Sequence, residues 1–130
     1  MQWNTEIHAG FSTAEPWLKV NDNYSQINAE NQMQDENSIF NYYRKLIQFL
    51  KESDIIAYGS YVEYCADHPS IYVYERAYKN EKIFVLCNFS ANEITYDPSL
   101  FPKEKHTILA NYKDQKGGIL RAYEAIVWKA

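Results

Sequence analysis

The acidic side chains are the residues with which this chain could do hydrolytic chemistry. Cleaving a glycosidic bond takes two carboxyl groups on either side of the bond, one protonated and one ionised. The sequence contains 17 Asp and Glu residues, nearly all in predicted turns or on predicted polar faces. Glu52 and Asp54, for example, flank the end of a predicted helix, where solvated charges are ordinary. No pair is distinguished by spacing or context, so we predict no catalytic residue.

Other reactive groups also lack the spacing of a recognisable site. His8, His68 and His106 show neither H-x-x-x-H nor H-E-x-x-H spacing, so no metal site is predicted. Cys87 lies in an apolar run, where a thiol behaves as a small buried hydrophobe and a poor nucleophile. Two cysteines are too few for a disulfide framework, and no Gly-rich phosphate loop is present. We therefore predict no cofactor.

Charge and hydropathy restrict the partners and the compartment. The formal net charge is −4, which argues against nucleic acid and against an anionic membrane surface. No apolar run reaches the roughly 18 residues of a membrane span, and no signal pattern opens the chain. The sequence thus predicts a soluble, cytoplasmic protein.

One long amphipathic helix is predicted over residues 36–52, because its apolar residues recur with helical spacing. Asp35 or Asn37 is the predicted N-terminal cap. Residues 1–34 are polar and weakly periodic, with one helical turn predicted near Ile27–Met33. So long an irregular segment suggests that its packing partner lies elsewhere.

From residue 55 the period changes from 3.6 to 2, which predicts strands separated by turns. Lys82–Asn88 is apolar on both faces and should be central, paired with Ile71–Ala77 as a hairpin. The seven or eight short strands predict a small antiparallel β-sandwich. They are Ile55–Ala57, Ser60–Tyr64, Ile71–Ala77, Lys82–Asn88, Glu93–Tyr96, His106–Asn111, Ala122–Lys129 and a weaker one near Ile119–Arg121.

The N-terminal half of the sequence contains the motifs MQWN, HAGFS, PWLKVNDNYSQIN and SIFNYYRKLIQFLK. These motifs resemble the end of the (β/α)8 barrel in glycoside hydrolase family 13. They are most similar to its group of oligo-1,6-glucosidases, dextran glucosidases and trehalose-6-phosphate hydrolases. YGSY, HPSIYVYERAY, EKIFVLCNFS, LANY and LRAYEAIVW resemble the C-terminal β-sandwich, with Ala122 where proline is common.

The resemblance implies a mainly β chain in two parts. Residues 1–53 would be the end of the catalytic barrel, an irregular segment followed by the last barrel helix. Residues 54–130 would be the C-terminal antiparallel β-sandwich. The family's catalytic carboxylates belong to motifs upstream of the M-Q-W stretch that do not occur here. Gln2, Trp3 and Asn4 are the implied substrate contacts, with loop packing by Trp3 as the equally weighted alternative.

A barrel helix without its barrel would leave an apolar face uncovered. We expect the isolated chain to bury this face against its own sandwich or in a homodimer. The homodimer face would consist of Ile39, Tyr43, Leu46, Ile47 and Leu50.

Two functions are compatible with these features. The first is a structural, inactive C-terminal part of an α-glucosidase that cleaves short α-1,6- or α-1,4-linked glucosides with retention. The second is a stand-alone carbohydrate-binding β-sandwich module, with Trp3, Trp17, Tyr72 and Tyr74 as candidate rings. Tyr72 and Tyr74 share one strand face, which could form a stacking platform but more often packs into a core. The exact α-glucoside stays open.

Overall fold

The computed structural model describes all 130 residues. The chain divides into two compact units, Met1–Phe49 (unit 1) and Leu50–Ala130 (unit 2). The predicted domain boundary after residue 53 concerns the parent fold and stays a prediction.

Unit 1 is held together by short helices and side-chain amides. Residues Ile7–Gly10 form a turn in which His8, Ala9 and Gly10 have positive φ, a 3-10 turn covers Asp22–Ser25, and helix α1 covers Ala29–Gln34. The predicted turn near Ile27–Met33 is therefore confirmed, shifted towards the C-terminus. The Asn28 side chain caps α1 by accepting the Asn31 N–H at 2.9 Å.

Helix α2 covers Ile39–Glu52 and confirms the long amphipathic helix, apart from its first predicted turn. Its cap is Ser38, whose hydroxyl accepts the Asn41 N–H at 3.1 Å. The predicted cap at Asp35 or Asn37 is wrong. Asp35 instead accepts the Asn37 N–H at 2.9 Å, in a turn that precedes the helix.

The buried Asn41 amide joins α2 to α1. Its Nδ2 lies 2.8 Å from the carbonyl oxygen of Asp35 and 3.1 Å from those of Gln32 and Met33, so its two protons are shared among three acceptors. These carbonyls lie at and just beyond the end of α1, where they lack helical partners. One side chain thus terminates α1 and positions α2.

Residues 55–57 are helical, and the strand predicted there is wrong. Helix α3 covers Asp54–Tyr58 and buries Ile55. The Arg76 side chain donates to the Ile55 carbonyl at 3.2 Å and to the Gly59 carbonyl at 2.8 Å. These two bonds satisfy backbone acceptors at the end of the helix, so a long-range contact overrides the local preference of two adjacent isoleucines.

Unit 2 is built on a five-stranded antiparallel sheet. Its strands are β1 (Val62–Tyr64), β2 (Ile71–Tyr78), β3 (Glu81–Asn88), β5 (His106–Ala110) and β7 (Ala125–Lys129). Their spatial order is β1-β2-β3-β7-β5. This confirms both the central position of β3 and the β2–β3 hairpin, which turns at Lys79 and Asn80.

A two-stranded ribbon accompanies the sheet, formed by β4 (Ile94–Thr95) and β6 (Ile119–Leu120). Leu120 belongs to the core cluster and Ile94 packs against it. The antiparallel β architecture is thus confirmed. The layer opposite the sheet is a short ribbon with irregular chain, so the full sandwich stays a prediction.

The core lies on one face of β2, β3 and β7. Phe101 supplies a ring from the irregular segment that follows a 3-10 turn at Pro98–Leu100. It meets the Trp128 ring at 5.1 Å between centroids and the Phe84 ring at 5.6 Å, both edge-on. The buried core residues are Ile71, Val73, Phe84, Leu86, Phe101, Leu120, Ile126 and Trp128.

Candidate functional site

The predicted contact residues Gln2, Trp3 and Asn4 lie in one backbone-bonded segment of unit 1. The N–H groups of Trp3 and Asn4 both donate to the Ala9 carbonyl, at 2.9 and 3.2 Å. The Trp3 carbonyl accepts the Glu30 N–H at 2.9 Å, which ties this segment to the first turn of α1. The structure therefore fixes the backbone of all three residues as part of unit 1.

Their side chains have different surroundings. Gln2 Nε2 donates to Asn23 Oδ1 at 3.0 Å and to the Ile27 carbonyl at 2.8 Å. Asn4 Oδ1 accepts the Glu6 N–H at 3.0 Å. The Trp3 ring is 49% exposed. The side chains of Gln2 and Asn4 thus make hydrogen bonds within unit 1, whereas about half of the Trp3 side chain is open to solvent.

A cleft of 590 Å³ opens in unit 1 and is the candidate site. Gln2 lines it, whereas Trp3 and Asn4 do not. Of the other lining residues, the sequence singled out only Trp17, as a candidate ring of the carbohydrate-binding alternative. The lining residues are Met1, Gln2, Phe11, Ser12, Glu15, Pro16, Trp17, Leu18, Lys19, Val20 and Asn21.

The side chains that line the cleft are suited to binding a ligand. Trp17 is 92% exposed, and the cleft offers its ring and Phe11 together with Glu15, Lys19 and Ser12. Aromatic faces with a few polar groups suit a neutral polyhydroxyl ligand.

Gly10 keeps this loop in its conformation. Its φ is +64°, and a Cβ there would lie 2.4 Å from Asn4 Oδ1. We expect Gly10→Ala to displace the Asn4 side chain and destabilise the loop by about 1–2 kcal/mol, because alanine disfavours the left-handed region. Faster hydrogen exchange of the Trp3 and Asn4 amides measures the effect. Gly117→Ala is the matched control, because a Cβ there meets nothing within 4 Å; equal exchange in both variants would contradict the prediction.

The apolar face of α2 is exposed. Ile39 is 73% exposed and Tyr43 58% exposed, and a groove of 370 Å³ runs beside them along the helix. Ile47 and Leu50 are also exposed, while Leu46 is half-buried. Each such side chain forgoes about 1.5–3 kcal/mol of burial.

The one fully buried carboxyl group, in Glu124, is an ion-pair partner. It accepts from Arg121 Nε at 3.1 Å, from Arg121 Nη2 at 2.9 Å and from the Arg121 N–H at 2.8 Å. Burial by itself would raise the pKa of Glu124, but the bonds from Arg121 outweigh it and hold the pKa below its ordinary value. A general acid needs a raised pKa, so Glu124 is unsuited to that role.

Three further observations bear on other kinds of site. Asn88 begins an Asn-Phe-Ser glycosylation sequon, but its amide is buried and donates to the carbonyls of Asn92 and Arg121, at 2.7 and 2.9 Å, so this side chain is inaccessible in the folded chain. No group of three or more His, Cys, Asp or Glu side chains is placed to hold a metal ion. None of the helices has the length and apolar character needed to cross a membrane.

The comparisons with known proteins agree on one family. Residues 1–59 match the family described as alpha amylase, catalytic domain. The oligo-1,6-glucosidase of Bacillus cereus is 42% identical over 99% of this chain and 24% of its own length. The trehalose-6-phosphate hydrolase of Bacillus subtilis (strain 168) is 40% identical over 99% of this chain and 24% of its own.

Solved structures agree as well. The crystal structure of Bacillus licheniformis trehalose-6-phosphate hydrolase matches with a TM-score of 0.86 and 34% identity, over 98% of this chain and 24% of that one. The trehalulose synthase of Pseudomonas mesoacidophila MX-45 matches with a TM-score of 0.80 and 29% identity, over 98% and 24%. The chain thus spans about a quarter of the relatives it matches. In sequence and fold it corresponds to a part of the α-glucosidase-type members of glycoside hydrolase family 13, the α-amylase family.

Proposed function

We propose that this chain is the C-terminal part of an α-glucosidase that hydrolyses short α-1,6- or α-1,4-linked glucosides with retention, in the cytoplasm. In this proposal it is structural and inactive by itself. Unit 2 is the C-terminal β-sandwich domain, with the β4–β6 ribbon in its second layer. Unit 1 and α2 complete the catalytic barrel.

The exposed apolar face of α2 carries the proposal. It lies within the segment that matches a catalytic domain, yet Ile39, Tyr43 and Ile47 are each about half exposed or more. An amphipathic helix gains most of its stability from packing that face. A barrel supplied by the rest of the parent would bury it; in the isolated chain a homodimer through this face is the proposed substitute.

The cleft supports the same proposal. Gln2 and Trp17 face it from a loop that is irregular by itself, as expected of an active-site loop held by a larger scaffold. We propose that Gln2, Trp3 and Asn4 lie on the substrate side of the complete enzyme. No residue of this chain is assigned to bond cleavage.

A graft tests the proposal. The purified chain should not hydrolyse a chromogenic α-glucoside. A chimera in which it replaces the matching quarter of the Bacillus cereus oligo-1,6-glucosidase should hydrolyse one. Ile47→Asp should abolish activity of the chimera by preventing burial of the α2 face, whereas Lys45→Ala on the polar face should not. Turnover by the chain alone, or an active parent lacking this quarter, would contradict the proposal.

A further inference from the structure

Four aromatic rings form a continuous row on the surface of unit 2, which we name the aromatic strip: Tyr61, Tyr74, Tyr72 and Phe89. Neighbouring rings are separated by 5.5 Å between Tyr61 and Tyr74, 5.4 Å between Tyr74 and Tyr72, and 6.3 Å between Tyr72 and Phe89. The strip crosses the edge of the sheet, because Tyr61 precedes the edge strand β1 and Phe89 follows β3.

The strip lies opposite the core. Along β2, Ile71 and Val73 are buried in the core cluster, and the alternating residues Tyr72 and Tyr74 point to the other face. Tyr72 and Tyr74 are half-buried, and neither belongs to the core cluster. Phe89 is 69% exposed and Tyr61 48% exposed, so both ends of the strip are open to solvent.

A chain of hydrogen bonds borders the rings. The Tyr61 hydroxyl donates to Glu63 Oε2 at 3.0 Å and lies 2.9 Å from the Tyr72 hydroxyl. Because a phenol has one proton, Tyr72 is the donor to Tyr61. Glu63 is exposed and retains acceptor capacity for a ligand.

We propose that the aromatic strip is a surface-binding site for short α-linked glucose oligosaccharides. The faces of aromatic rings are electron-rich and attract the C–H face of a pyranose, which carries partial positive charge. Sugar hydroxyls can donate hydrogen bonds to the Glu63 carboxylate. The choice of α-linked glucose as the ligand rests on the proposed function, but the strip lies in unit 2 and the cleft in unit 1, so the two sites can be tested separately.

Backbone NMR of the 130-residue chain tests the inference. Titration with isomaltotriose and with maltotriose should shift the amides of Val62–Tyr64, Ile71–Tyr78 and Phe89, with a dissociation constant in the millimolar range. Shifts confined to residues 2–21 would place binding in the cleft and overturn the inference. No shift at tens of millimolar of either sugar would overturn it too.

Single substitutions make the test specific. Phe89→Ala and Glu63→Gln should each weaken binding about fivefold, the effect expected of one ring contact or one charged hydrogen bond. Tyr58→Ala is the matched control, because Tyr58 is 71% exposed and pairs with Tyr78 away from the strip. Equal affinities for Phe89→Ala and the unaltered chain would refute the site, even if sugar bound elsewhere.

Discussion

Glu124→Gln is expected to destabilise unit 2 by about 3–5 kcal/mol, because it leaves the partly buried Arg121 guanidinium without its main partner. Glu124 is completely buried, and the Arg121 side chain is 14% exposed. Arg121 also lies 4.0 Å from the centre of the Tyr112 ring, so its position is fixed on a second side. Chemical denaturation of the variant and of the unaltered chain measures the difference.

The same pair predicts how stability depends on pH. The folded-state pKa of Glu124 lies below its ordinary value of 4.5, so the folded chain binds fewer protons than the unfolded chain in that range. Its contribution is therefore complete above pH 4.5 and is lost as the pH falls through the lower, folded-state pKa. In the Glu124→Gln variant, the free energy of unfolding should therefore depend less steeply on pH below 4.5.

Asp114→Asn is the control for this prediction. Asp114 also pairs with Arg121, at 2.9 Å, but its side chain is 75% exposed and water screens the interaction. We expect only a small, salt-sensitive loss of stability. If Asp114→Asn proved as damaging as Glu124→Gln, burial would not be the source of the effect.

Trp128→Ala should be equally severe, with a loss of about 3–5 kcal/mol. The ring is 4% exposed, contacts Phe101 and Tyr96, and donates its indole N–H to Gln115 Oε1 at 3.1 Å. Its removal leaves a large cavity in the core cluster, which packs the sheet against Phe101 and Leu120. A lower denaturation midpoint, with dispersed NMR signals retained in unit 1, is the expected observation.

Trp17→Ala provides the comparison for Trp128→Ala. Trp17 is 92% exposed, so its removal should change the free energy of unfolding by less than about 0.5 kcal/mol. Similar losses from both substitutions would contradict the assignment of Trp128 to the core.

Helix α2 and the hairpin of β2 and β3 were predictable because each is a long periodic pattern with local turn signals. The cap of α2 was not, because Asp35, Asn37 and Ser38 are all acceptable caps and the choice depends on where Asn41 is held. Residues 55–57 were mispredicted for a similar reason. A run of three residues carries no period, and the deciding contact comes from Arg76.

The candidate site was predictable only in part. The family motif around Gln2 and Trp3 pointed to the loop that contains the candidate contacts. The cleft, however, depends on how residues 11–21 fold back beside Gln2, which no local pattern encodes. The role of Glu124 was also hidden, since an acidic residue near a turn gives no sign that Arg121 will bury it. The proposed function therefore came from the resemblance to family motifs, because the spacing of reactive residues indicated no activity.

The position of β7 between β3 and β5 has a consequence for biosynthesis. When the ribosome has released residues up to Ala110, β1, β2 and β3 can already pair, but β5 has no neighbour until Ala125–Lys129 emerge. Until then β3 and β5 each present an open edge to other nascent chains. A polypeptide stalled before residue 125 would therefore be a natural client for chaperones that shield unpaired strands.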